Sequence, residues 1–251
     1  MRTRTMIASL LGIAAAIGGC GSNQPVSDSQ QSASQGAWME PTLPVKTELS
    51  ATGRNPYFVL EPGYRLVLEN AGKDSLTITV LADTKIVDGV ETRVVEERET
   101  KHGQLAEISR NYFAISTATH ALYYFGEDVD EYEDGKVVSH GGAWLAGVNG
   151  ARAGMLLPGE PKVGQRFYQE MAPGVAMDRS EVISVSETIK TPAGAFEKCL
   201  KVADGSAVEK GDPEEKIFAP GVGLVKEEDF RLVKSERISR ENATTEAGGD
   251  R

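Results

Sequence analysis

Cysteine is nearly absent from this chain: Cys20 and Cys199 are the only two in 251 residues. If the first is modified, the second has no partner, so a disulfide framework is excluded and the fold must stand on its apolar core. Histidine is almost as scarce. His102, His120 and His140 are scattered without the His-x-x-x-His or Cys/His spacing of a transition-metal site, and no cofactor is expected. Basic residues are in deficit, 27 against 37 acids, which argues against a nucleic-acid partner and against a basic membrane-binding face. A bilayer-spanning apolar run is missing too. The stretch from Met6 to Ile17 falls short of the roughly 20 residues a spanning helix needs.

That stretch instead completes an export signal, with Arg2 and Arg4 ahead of it and small residues behind. It closes on Ile17-Gly18-Gly19-Cys20, a bacterial lipobox, in which cleavage falls between Gly19 and Cys20 and the Cys20 thiolate takes the lipid. Residues 1–19 are therefore expected to be a lipoprotein signal peptide. Its removal takes away two arginines and no acid, lowering the formal net charge from −10 to −12. The membrane is then a partner through the acyl chain alone. Gly21 stands after the cysteine where lipoproteins kept at the inner membrane have Asp, so the expected address resembles that of the outer membrane of the cell envelope.

From Cys20 to about residue 54 the chain is rich in Gln, Ser, Ala, Gly and Pro and offers little to bury, the composition of a disordered tether. Trp38, Met39 and Leu43 are its apolar exceptions and could dock on the domain beyond it. Residues 55–240 show short alternating or apolar runs between turn signals, the period of strands. Strands are expected near 64–69, 75–81, 92–99, 105–113, 122–126, 136–139, 166–171, 181–187, 195–202, 216–219 and 223–228, with a last one near 230–238. Asn70-Ala71-Gly72-Lys73-Asp74, Val87-Asp88-Gly89 and Glu133-Asp134-Gly135 supply residues that tolerate positive φ in tight hairpins. Leu105, Ile108, Tyr112 and Ile115 also sit near helical spacing, so a helix is the alternative there. Residues 241–251 read as a frayed polar tail.

A weak internal repeat pairs Gly63-Tyr64-Arg65-Leu66-Val67-Leu68-Glu69 with Gly164-Gln165-Arg166-Phe167-Tyr168-Gln169-Glu170, each followed by a strand, a turn glycine (Gly89, Gly194) and another strand. Either the chain arose by internal duplication or two antiparallel meanders merely look alike. The expected architecture is all-β: a single antiparallel β domain, formed as a two-layer sandwich or a curled half-barrel. Leu66/Leu68, Leu76/Ile78/Val80 and Val182/Val185 are the candidate inward side chains, and they favour two layers with a packed interior.

Tyr123-Tyr124-Phe125-Gly126-Glu127-Asp128-Val129, Asp134-Gly135-Lys136-Val137-Val138, Ala143-Trp144-Leu145-Ala146-Gly147-Val148, Val163-Gly164-Gln165, Thr191-Pro192-Ala193-Gly194-Ala195-Phe196 and Ala219-Pro220-Gly221-Val222-Gly223-Leu224-Val225 together resemble a family of exported bacterial β-rich proteins and lipoproteins. The resemblance covers most of residues 55–228. It implies export and an all-β fold, and it implies no catalytic residue. The chain departs from the family at Ser116–His120, where the family has an Asp/Gly/Asn hairpin turn.

The densest chemistry lies in residues 127–134, where six of eight residues are carboxylates. Asp128, Asp130 and Asp134 are weak candidates for a divalent cation, since hard cations gather carboxylate oxygens. The spacing is wrong for an EF-hand, with Tyr132 and Gly141 at ligand positions, and alternate carboxylates of a strand point apart. A solvated hairpin is the favoured reading. Ser139-His140-Gly141-Gly142 lacks the Gly-x-Ser-x-Gly elbow of a serine hydrolase. The glycine-rich run 141–154 lacks the Gly-Lys-Ser/Thr ending of a phosphate loop and is expected to close one end of the sheet over Trp144. Tyr112, Phe113, Tyr123, Tyr124 and Phe125 place aromatics on both strand faces, which fills a core or lines an apolar cavity. Cys199 is expected to be a buried free thiol. The sequence therefore reads as a non-enzymatic, lipid-anchored envelope lipoprotein with a binding or structural role. The competing readings are a carrier of an apolar ligand such as lipid, and a hydrolase; an envelope protein is the alternative partner.

Overall fold

A computed structural model describes residues 37–208, 211–239 and 242–243. Cys20 and Gly19, the expected lipidation and cleavage positions, lie outside the described residues, as do residues 1–19, the expected signal peptide. The chain begins with a 3-10 turn (Lys46–Glu48) and three short strands, β1 (Leu49–Ser50), β2 (Gly53–Asn55) and β3 (Phe58–Leu60). A meander comes next: β4 (Tyr64–Glu69), β5 (Ser75–Val87), β6 (Val90–Lys101), β7 (Gln104–Ser116) and β8 (Leu122–Glu133). After it lie β9 (Lys136–Ser139), β10 (Trp144–Leu145), β11 (Arg152–Leu157), β12 (Arg166–Tyr168) and β13 (Glu170–Met171). A second meander completes the chain: β14 (Asp178–Thr191), β15 (Gly194–Ser206), β16 (Glu214–Ala219), β17 (Gly223–Glu227) and β18 (Phe230–Arg237).

The fold is all-β, and of the two expected forms the curled one is found: one antiparallel sheet of 16 strands, nearly closed into a barrel, beside the small β2–β3 pair. Each strand expected from the pattern is present. Residues 105–115 are strand and not helix, because β7 is hydrogen-bonded along both edges, to β6 and β8. The hairpins turn where expected, with Asp88 and Gly89 at φ 46° and 70° and Asp134 and Gly135 at 51° and 73°, the paired positive angles of a type I′ turn. Bulges explain the uneven spacing of Val182 and Val185, since the β14–β15 register shifts between Val182 and Ser184.

The sheet runs β12-β14-β15-β16-β17-β18-β4-β5-β6-β7-β8-β11-β13. Its two ends, β12 and β13, are successive pieces of one segment broken at Gln169, so the path returns on itself. Within this path the two meanders join where β18 pairs with β4. They also share a detail that the sequence repeat pointed to. Gly63 N–H donates to Val80 O and Gly164 N–H to Val182 O, both at 2.8 Å, with the glycines at φ 84° and 80°. Strands β4 and β12 are thus entered through the same left-handed glycine, a conformation costly for other residues.

Part of the expected tether belongs to the barrel. Residues 37–54 are laid across the seam and one end of the barrel, because they carry groups the barrel can bind. Met39 N–H donates to Arg166 O and Met39 O accepts from Tyr168 N–H, both at 3.1 Å. Trp38 packs against Tyr168, with the Arg179 and Arg166 guanidinium groups 4.4 and 5.2 Å from its ring. Glu40 meets Arg152 of β11 at 2.9 Å. This strap therefore bridges β12 and β11. Of the C-terminal tail, Asn242 and Ala243 are described, and Ala243 is buried.

Candidate functional site

The interior of the barrel is apolar in one part and acidic in another. Residues directly opposed across an antiparallel ladder share a face, and the register sets out the interior rows. One row reads Val182, Val202, Lys216, Glu227, Phe230 across β14 to β18, and its neighbour reads Ser180, Asp204, Glu214. On the other wall, Leu66, Ile78, Glu97, Ser109 and Val129 are aligned, next to Val80, Val95, Asn111 and Glu127. Leu60, Phe113, Tyr124, Phe167 and Leu200 fill the apolar part without exposure. Asp178 at the start of β14 and Glu170 in β13 complete the acidic part. Polar side chains this deep need partners, since an unpaired buried charge costs several kcal/mol.

One cation serves these acids directly. Lys216 Nζ lies 3.0 Å from Glu227 Oε1 and 3.4 Å from Asp204 Oδ2. Desolvation, the largest single influence, lowers the lysine's proton affinity, but the attraction of Glu227 and Asp204 outweighs it, so the ammonium is retained. The carboxyls respond in the opposite sense. Burial pushes Glu97, Glu214 and Glu227 each up to about 7, with Lys216 offsetting part of the effect. Glu97 keeps a partial opening to solvent although protein surrounds it. Burial, and then neighbouring carboxylates, hold Glu170 well above the ordinary range, and burial does the same to Glu127. Glu170 interacts with the Asp178 carboxyl and the Trp144 indole, in neither case with the geometry of a full hydrogen bond. Ser180 Oγ, Trp144 Nε1, Asp204 Oδ1 and Glu227 Oε2 are likewise buried without a hydrogen-bond partner. Tyr124 OH, by contrast, donates to Asn111 Oδ1 at 2.7 Å.

The opposite face of the same strands places Arg65, Thr79, Glu96, Arg110 and Asp128 directly across from one another. Here the candidate cation ligands meet cationic side chains. Asp128 accepts from Lys85 Nζ at 3.0 Å and from the Tyr112 hydroxyl at 2.5 Å. Asp130 lies 3.0 Å from both Arg110 and His140. Asp134 sits in the hairpin turn. The three do not converge, and among the described residues no three His, Cys, Asp or Glu side chains are placed to share a metal ion. His140 Nδ1 also contacts Val129 O at 2.9 Å, and Ser139 Oγ accepts from Gly141 N–H, so the Ser139–His140 loop is bound up in its own turn. Cys199 is a free, buried thiol.

The glycine-rich run does close the barrel over Trp144, which stacks edge-on to Tyr124 at 5.2 Å. It also contains a strand that the sequence pattern did not reveal, β11, whose alanine and glycine residues lack the β-branched signature. Beside Trp144 lies a cleft of about 250 Å³ lined by Leu145, Val148, Ala172, Pro173 and Val175, with Asp128 and Asn149 among its polar groups. The buried acids were missed because alternating carboxylates read as a solvent face. The signal was present in β6, where Glu96, Glu97 and Glu99 occupy both faces, so one face had to carry carboxylates inward. Comparison of the chain with protein-family models, curated proteins and solved structures returned no match.

Proposed function

We propose that this chain is a lipid-anchored lipoprotein of the cell envelope, held through Cys20 at the outer membrane, whose barrel binds or braces and does not catalyse. The Ile17-Gly18-Gly19-Cys20 lipobox carries the reading. The strap supports it, because Trp38 fastens the chain to the barrel wall shortly after the anchor position. The interior supports a non-enzymatic role: a general acid or base has to reach its substrate, and the unpartnered oxygens of Glu170, Asp178, Asp204 and Glu227 are sealed from solvent. Cys20→Ser is the test. The variant should lose the diacylglyceryl mass and leave the membrane fraction; a variant that still fractionates as wild type does would sink the anchor. Recovery of the wild type in inner-membrane density fractions would overturn the outer-membrane address.

A second reading, carriage of an apolar ligand such as lipid, rests on the cleft beside Trp144. A guest at a hundredfold excess over its dissociation constant would raise the unfolding free energy by about 2.7 kcal/mol. Thermal unfolding with and without envelope lipid extract separates the readings, and a concentration-dependent rise in midpoint favours the carrier.

A further inference from the structure

The seam where the sheet closes is also where three of its buried acids meet. Glu127 on β8, Glu170 on β13 and Asp178 on β14 are 3%, 2% and 2% exposed. Gln169 N–H donates to Asp178 O at 2.7 Å, Glu170 is registered with Ala153 of β11, and Glu127 is registered with Trp144 of β10, which brings the three carboxyls to one place on the closure, within electrostatic reach of one another. The ladder they back is short: β11 and β13 share two registered pairs, Arg152 with Met171 and Ala153 with Glu170. Beyond that ladder the strap, and not a strand, spans from β12 to β11.

The groups facing this triad come from every neighbouring element. They are Tyr124 on β8, Glu97 on β6, Glu107 on β7, Trp144 on β10, Asp204 and Ser206 on β15, and Lys216 on β16. Lys216 is the one cation among them, and it is nearest to Glu227 and Asp204. Three carboxylates cannot all ionise in a dry space, so protons must be shared between them. A proton on Glu170 or Asp178 removes the repulsion between the two.

We propose that Glu127, Glu170 and Asp178 form a proton-held latch across the barrel seam, closed while these carboxyls carry protons and opened by like-charge repulsion when they lose them. Burial raises the proton affinity of all three, which fits a latch shut in acid and released as pH climbs. The two-pair β11–β13 ladder, whose strands no tight turn joins, is where the opening starts. Its opening frees the edges of β11 and β12 and loosens the strap, while the long β5–β6 hairpin stays paired.

Hydrogen exchange of the full-length chain at pH 5.5 and 8.5, corrected for the intrinsic pH dependence of amide exchange, tests this. Protection in residues 152–157 and 166–171 should fall at the higher pH by about tenfold or more beyond any loss in residues 75–101. Glu170→Gln and Asp178→Asn, each a neutral mimic of the protonated acid, should keep the seam protected at pH 8.5. Equal seam protection at both pH values in the wild type overturns the latch. So does a uniform loss over the whole barrel, which reports global stability, or a loss in both variants that matches the wild type. If one variant fails to fold, the other and the wild-type comparison still decide.

Discussion

Lys216 stands directly opposite Glu227 in the β16–β17 ladder, and its ammonium lies 3.0 Å from the Glu227 carboxylate and 3.4 Å from that of Asp204. All three side chains are at least nine-tenths buried. Removing one partner of a buried pair leaves the other uncompensated, at a cost of about 3–5 kcal/mol. Lys216→Met is therefore expected to lose about that much unfolding free energy in denaturant titrations at pH 8. The loss should shrink at pH 5, where Glu227 takes a proton and no longer needs the cation. A cost that is the same at both pH values would contradict the pairing.

Stability as a whole should run against the usual acid sensitivity of proteins. Glu97, Glu214 and Glu227, raised from 4.5 to about 7, bind protons more tightly in the folded barrel than in the unfolded chain. The stability they lend is full below 4.5 and drains as pH rises through 7. Glu61 works in the opposite direction. Its hydrogen bonds to Arg54 and Arg237 lower it to about 2, so its contribution is full above 4.5 and is lost between 4.5 and 2. The thermal midpoint is expected to fall on the order of 5–10 °C between pH 5 and pH 8. Calorimetry showing a rise over that interval would refute the assignment of buried, proton-binding carboxyls.

Gly154 lies where two backbones run close together at the seam. A Cβ there would overlap the carbonyl of Gln169, which belongs to the main chain and cannot swing aside. Gly154→Ala should cost about 1–3 kcal/mol, the range of overpacked sites. Gly211, with open space around it, is the control and should tolerate alanine. Denaturation midpoints of the two variants decide, and equal midpoints would mean the seam is looser than described.

Trp38 is the fastener of the strap. Its ring faces Arg179 at 4.4 Å and Arg166 at 5.2 Å, and each such contact at an exposed site is worth about 0.5–1 kcal/mol. Trp38→Ala is expected to cost about 1–2 kcal/mol and to open residues 37–45 to limited proteolysis. Unchanged cleavage would show that the Met39 hydrogen bonds hold the strap alone.

Local chemistry made most of the wall legible in the sequence. Asp88-Gly89 and Asp134-Gly135 announce their hairpins, and Leu66/Leu68 and Leu76/Ile78/Val80 announce an inward face, because turn angles and alternation are set within a few residues. Closure is not local. Nothing near Arg166 says that its carbonyl will accept from Met39, more than a hundred residues earlier in the chain. The acidic interior is hidden for the same reason. Lys216 shares its face with Val202 and Glu227 only through cross-strand register, and bulges such as the one between Ile217 and Phe218 break the parity that a reader would count along the strand. Glu127 becomes a neighbour of Glu170 and Asp178 only once the segment broken at Gln169 joins both ends of the sheet.

The pairing of β18 with β4 sets an order of assembly. Leu232 lies opposite Leu68, so the first long strand of the chain waits for its last one. Partners so distant in sequence make folding slow, because the loop must close before the contact repays it. A chain that emerges from its N-terminus can form the β4–β8 meander early, but β4 keeps an unpaired edge until residue 237 has emerged. Throughout that interval the edge is a template for any passing strand. The barrel is therefore a product of the completed chain, and a chain stalled before β18 is aggregation-prone however well its earlier hairpins have formed.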